Sequence, residues 1–158
     1  MAGIPGKTLL LAAAGAVALG GCATSYSRNS LGWGDGYRER QIAPGVWLVR
    51  AQANFYTRDD FAMDMATYRA AAIARDAGFS HVQLLDTYTE DNEEFLGDLA
   101  PMAGQRVEVK ARGVNDANAP IACEMRPPAA CRTLSVAETI RTLGPRLNIR
   151  TPPPPARR

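Results

Sequence analysis

A chain of 158 residues has room for one domain and little else. Its 18 basic and 16 acidic side chains nearly cancel to a formal charge of +2, so no strong field points to a nucleic-acid partner. One histidine and three cysteines are a thin inventory for metal or nucleophilic chemistry, which argues against an enzyme and against a bound metal or cofactor.

Residues 1–21 carry a single charge, Lys7, ahead of an apolar run over 9–19. The run is too short for a spanning helix and has the form of a secretion signal. It ends in Leu19-Gly20-Gly21-Cys22, which resembles the bacterial lipobox. That resemblance implies cleavage before Cys22 and a tether to the membrane through acyl chains on that cysteine, palmitate among them; two or more chains do not readily dissociate. Ala23 rather than an aspartate follows, and by analogy with enterobacterial sorting this favours the outer membrane, facing the periplasm. With Cys22 set aside, Cys123 and Cys131 remain in an oxidising compartment, most simply as a disulfide around a small loop. A redox pair is the alternative, and the absence of a Cys-x-x-Cys motif argues against it.

Residues 22–36 read as a lipidated flexible tether; Tyr26 and Trp33 are its aromatics, and the stretch is taken as plain spacer. The runs 37–42 and 46–52 flank Ala43-Pro44-Gly45 and predict a β-hairpin, with Trp47, Val49 and Ala51 on one face and Val46, Leu48 and Arg50 on the other. Thr57, with Asp59 and Asp60 behind it, marks a helix start. Ala62, Ala66, Ala70, Ile73 and Ala77 then fall on one side, with Phe61, Met65, Tyr68 and Ala72 beside them. Half of that face is alanine, which lets a helix axis come close to a sheet. Gly78 supplies the residue that ends it. Arg69 and Asp76 project into the apolar face, so either they pair or another acid such as Asp86 serves Arg69. The functional alternative presents the Arg69 guanidinium to an anionic ligand; the lack of a phosphate-binding glycine loop favours an internal ion pair.

Residues 79–88, with Val82 and Leu84, predict a third strand in which His81 is an ordinary strand residue. The stretch 89–104 is acidic and aperiodic, and reads as an exposed loop and a candidate partner surface. Its Glu90, Asp91, Glu93, Glu94 and Asp98 do not have the spacing of an EF-hand calcium loop. Residues 105–114 alternate Val107, Val109 and Ala111 with Arg106, Glu108, Lys110 and Arg112, the cleanest strand in the chain, with one face in water. A short strand over 120–124 would carry Cys123 to its bridge. Ser135 and Glu138 form a capping box for a helix to about Leu143, buried through Val136, Ile140 and Leu143 and stopped by Gly144-Pro145. Residues 151–158 are a proline-rich tail with a basic tip, disordered by default.

These elements make one α+β domain over 37–150: an antiparallel sheet of four or five strands, a long helix across one face and a short terminal helix beside it. The lipobox, Tyr37 before Pro44-Gly45, the strand 46–49, Asn54 with Thr57, Tyr68-Arg69-Ala70-Ala71 and Gly78-Phe79 together resemble a group of small proteobacterial lipoproteins. That group has no assigned activity, so the resemblance implies fold and location and adds nothing to mechanism. The expectation is a non-catalytic, lipid-anchored module that binds another envelope protein or peptidoglycan. A small-ligand carrier or sensor using Arg69 or the acidic stretch is the alternative.

Overall fold

The computed structural model describes residues 24–28, 35–54, 57–94, 102–124 and 131–149. The leader 1–21, Cys22, Trp33, Asp98 and the tail 151–158 lie outside the described residues. Strands β1 (Gly36–Ala43), β2 (Val46–Ala53), β3 (His81–Glu94), β4 (Met102–Val114) and β5 (Arg132–Ser135) form one five-stranded antiparallel sheet in the order β1-β2-β4-β3-β5. Helices α1 (Phe61–Asp76) and α2 (Val136–Arg146) share one core cluster with it, so the domain is the α+β fold the periodicity predicts.

Alternation decides which side of the sheet is dry. Val49, Ala51, Val107, Val109, Ala111, Val82 and Leu84 are all buried in the core. The helix that covers them meets the sheet through Ala62, Ala66, Ala70, Ala71 and Ala74, each fully buried together with Met65. Short side chains on the helix are what allow this close seating. Gly78, at φ +86°, closes α1 in a Schellman motif: its N–H bonds the Arg75 carbonyl and the Phe79 N–H reaches back to Ala74, both at 2.9 Å.

The helix start differs from expectation. α1 begins at Phe61, four residues after Thr57. The Thr57 hydroxyl is occupied elsewhere, donating to Asn54 Oδ1 at 2.8 Å and accepting from the Thr24 N–H at 3.3 Å. Asp60 takes the N-cap position without a side-chain cap bond, because its carboxylate faces Arg58 and Arg146. Arg58 and Arg146 also meet Asp64, which ties the start of α1 to the end of α2.

The stretch 89–104 is no loop up to Glu94, nor from Met102 onward. β3 continues through it and pairs with β4 as far as Glu94 opposite Met102. A ladder of backbone pairs joins the two strands here although the sequence of 89–94 has no hydrophobic period. No strand forms over 120–124; the Glu124 N–H bonds the Leu85 carbonyl at 2.8 Å. The fifth strand is β5 instead, paired with the start of β3. α2 also outruns its predicted stop. Pro145 sits in its last turn, and the helix ends at Arg146 with Leu147 as C-cap; Asn148 beyond it takes φ 57° while Asn148 and Ile149 donate back to Pro145 and Gly144. A proline this near the end removes one bond only. The Ser135 half of the capping box forms, with Ser135 Oγ accepting from the Glu138 N–H at 3.4 Å, while the Glu138 carboxylate turns to Arg141 and Thr142.

Phe79 closes one corner, edge-on to Trp47 at 6.1 Å between centroids. A Cβ added at Gly113 would lie 2.3 Å from its Cδ2. Gly113→Ala is therefore expected to destabilise the domain by about 1–3 kcal/mol through overpacking. Chemical denaturation checks this, and Phe79→Leu in the same background should recover part of the loss.

Candidate functional site

Arg69 leaves α1 toward the edge strand. On β1, Tyr37 and Glu39 stand in the row that pairs with Ala51 and Val49, on the helix side of the sheet. Arg69 Nη2 donates to Glu39 Oε1 at 2.9 Å, and Arg28 Nη2 lies 3.7 Å from the same oxygen. The guanidinium stacks 5.0 Å from the Tyr37 ring centre. Tyr26 covers Tyr37 at 4.6 Å and meets the edge of Tyr68 at 5.1 Å. Side-chain exposure is 22% for Arg69 and 13% for Glu39. Burial works against the Arg69 charge, but the bond and charge of Glu39 outweigh it and raise the pKa. The Tyr26 phenol is pushed well above its usual range, by burial first and then by Tyr37.

The expected pairing of Arg69 with Asp76 does not form. Asp76 lies seven residues further along α1, about 10 Å up the axis, and takes both Nε and Nη2 of the adjacent Arg75 at 3.0 and 2.9 Å. Asp86 is opposite Lys110 in the row facing away from the helices, so it does not serve Arg69 either. The partner is Glu39, thirty residues earlier in the chain. Glu39 Oε2 and Arg69 Nε are buried with no hydrogen-bond partner among the described residues. Held between a carboxylate and tyrosine rings, this guanidinium clamps α1 to β1.

The stretch taken as spacer is also different where it is described. Thr24 is 8% exposed; its N–H reaches Thr57, its hydroxyl donates to Asp35 Oδ2 at 2.8 Å and accepts from the Asn54 N–H at 2.9 Å. Ser27 accepts from the Tyr37 N–H at 2.8 Å, and Arg28 makes a parallel bridge to Tyr37. Polar side chains that look solvated in sequence here satisfy backbone groups of the domain. Next to them, a cleft of about 420 Å³ is bordered by Thr24, Tyr26, Phe61, Leu147 and Ile149.

Cys123 and Cys131 are bonded to each other, with Cα atoms 5.7 Å apart. Their loop is held against β3 at the bulge around Leu85, whose carbonyl receives the Glu124 N–H and lies 3.2 Å from Cys131 Sγ. Gln83 Nε2 donates to the Ala119 carbonyl at 2.8 Å, and Lys110 Nζ meets Glu124 at 2.5 Å. The segment thus covers the β3 side of the sheet face that has no helix. His81 Nδ1 contacts Ser80 Oγ at 2.9 Å, and Ser80 Oγ also lies 3.2 Å from the Asn115 carbonyl, to which it can donate. Glu90 faces Arg106 at 3.5 Å. Among the described residues no set of three or more His, Cys, Asp or Glu is placed to hold a metal ion. No described helix is long and apolar enough to cross a membrane.

What the sequence reading missed is the rest of that uncovered face. Pairing places Arg38 opposite Arg50, then Glu108 and Tyr88 in one row; Arg40, Leu48, Lys110 and Asp86 form the next. Arg50 bonds Glu108. Arg38, Arg40 and Arg112 make no ion pair among the described residues. The alternation of 105–114 was a visible signal; its alignment with 38, 40 and 50 is set by register. No family model, no curated protein and no solved structure matches the chain.

Proposed function

We propose that the chain is a lipid-anchored, periplasm-facing lipoprotein held through Cys22, of the proteobacterial group it resembles, and that its domain is a non-catalytic module for contact with another envelope protein. The observation that carries this reading is the lipobox Leu19-Gly20-Gly21-Cys22, followed after a single residue by the bonded Thr24. Two peptide steps keep Cys22 Cα within about 7.6 Å of Thr24 Cα. An acyl group on Cys22 would therefore leave the domain at one defined corner. The bonded pair Cys123–Cys131 suits an oxidising compartment and leaves Cys22 as the single cysteine without a bridge. Ala23 favours the outer membrane by the sorting analogy.

The small-ligand alternative loses its main support, since it needs Arg69 at the mouth of a pocket and Glu39 holds it. Peptidoglycan contact through Arg157 and Arg158 rests on residues outside the described ones. Membrane fractionation tests the proposal. Wild-type chain should stay with the membrane pellet through a high-salt wash and leave only with detergent, whereas Cys22→Ser should lose this lipid-dependent retention. Equal retention of both in the same detergent assay overturns the anchor.

A further inference from the structure

We infer that the helix-free face of β1, β2 and β4 binds an acidic polypeptide segment of the partner. Arg38 stands directly across from Arg50, and like charges opposed across a sheet repel. Glu108 relieves Arg50 alone. Arg38 and Arg40 remain exposed, and Arg112 is flanked by Val46 and Gln83, so no carboxylate answers any of the three among the described residues. A face kept positive at the expense of folding is one that meets negative charge in a complex.

The surface has the make-up of a recognition site as well as the charge. Tyr88 is 59% exposed on the Arg38–Arg50 row, and Ile42 is 40% exposed at the end of β1. Arginine and tyrosine dominate interface energetics because they combine area with directed hydrogen bonds. Two hollows of about 220 and 350 Å³ adjoin here, both bordered by Arg38 and Arg50, with Leu48 in the first and Tyr88 in the second. Glu124 and Ala119 are bonded on the β3 side, to Leu85 and Gln83, and neither borders these hollows.

The choice of a peptide over a bilayer rests on the anchor reading. Tyr26 meets the edge of Tyr68 on α1, and Thr24 and Tyr26 border the cleft with Phe61 and Leu147, so the described residue nearest the proposed anchor lies on the helix side and not among the arginines.

The test uses the full chain in detergent, with fluorescein-labelled poly-L-glutamate as probe at low ionic strength. Arg38→Ser/Arg40→Ser should weaken binding by about tenfold, while Arg75→Ser/Arg141→Ser, an equal charge change on the helix side, leaves it unchanged. Arg38→Lys/Arg40→Lys should retain most of the affinity, which guards against loss through misfolding. No binding by the wild type, or equal loss in the two serine variants, overturns the proposal. So does Arg38/Arg40-dependent binding to phosphatidylglycerol vesicles without binding to poly-L-glutamate. Any of these results leaves the Cys22→Ser fractionation untouched, so failure here is distinguishable from failure of the anchor.

Discussion

Arg69→Met is expected to lower the unfolding free energy by about 3–5 kcal/mol, because it leaves a buried carboxylate uncompensated. Glu39 is shielded by Tyr37, Tyr26 and α1, and its remaining cation, Arg28, is 3.7 Å away on an exposed side chain. The substitution also removes the cation stacked on Tyr37. Domains of this size are stable by roughly 5–15 kcal/mol, so the single variant should lose a large fraction of that margin. Adding Glu39→Leu should restore most of the loss, since an apolar pair of similar volume avoids burying charge altogether. Urea denaturation of the two variants separates the readings. A ligand-binding arginine would lose little stability when replaced, and the second substitution would not rescue it.

Removal of the Cys123–Cys131 bond is expected to cost about 2–3 kcal/mol by the loop-closure account. The bridge spans eight positions and pins a segment that otherwise holds to the sheet through the Glu124 N–H, Gln83 and Lys110. Cys123→Ser/Cys131→Ser should therefore loosen that segment first. Amide exchange at Glu124 should rise by more than exchange at Val109, which lies in the covered centre of the sheet. Equal protection at both positions in the double variant would show that the contacts with β3 hold the segment unaided.

What was legible in the sequence was local. The alternation at 46–52 and 105–114, the alanines of α1, Gly78 and the Ser135 cap each sit within a few residues of the partner that gives them meaning. Contacts between distant residues were not. Glu39 reaches Arg69 only because β1 lies beside α1, and the nearer acid Asp76 was a misleading candidate. Thr24 looks like spacer until Asp35, Asn54 and Thr57 gather around it. The ribbon through Glu94 and Met102 is held by strand pairing, and the acidic run 90–94 carries no alternating hydrophobic signal that would announce it. The arginine face follows from strand register, which composition and spacing do not encode.

The account depends above all on the chemistry of one side chain at the start of the mature protein. Intact-mass spectrometry of detergent-extracted chain, followed by fragmentation of its N-terminal peptide, reads that chemistry directly. The account predicts a chain that begins at Cys22 and carries diacylglycerol and an amide-linked acyl chain on that residue. A chain that retains residues 1–21, or one that begins at Cys22 with a free thiol and a free amine, would contradict it.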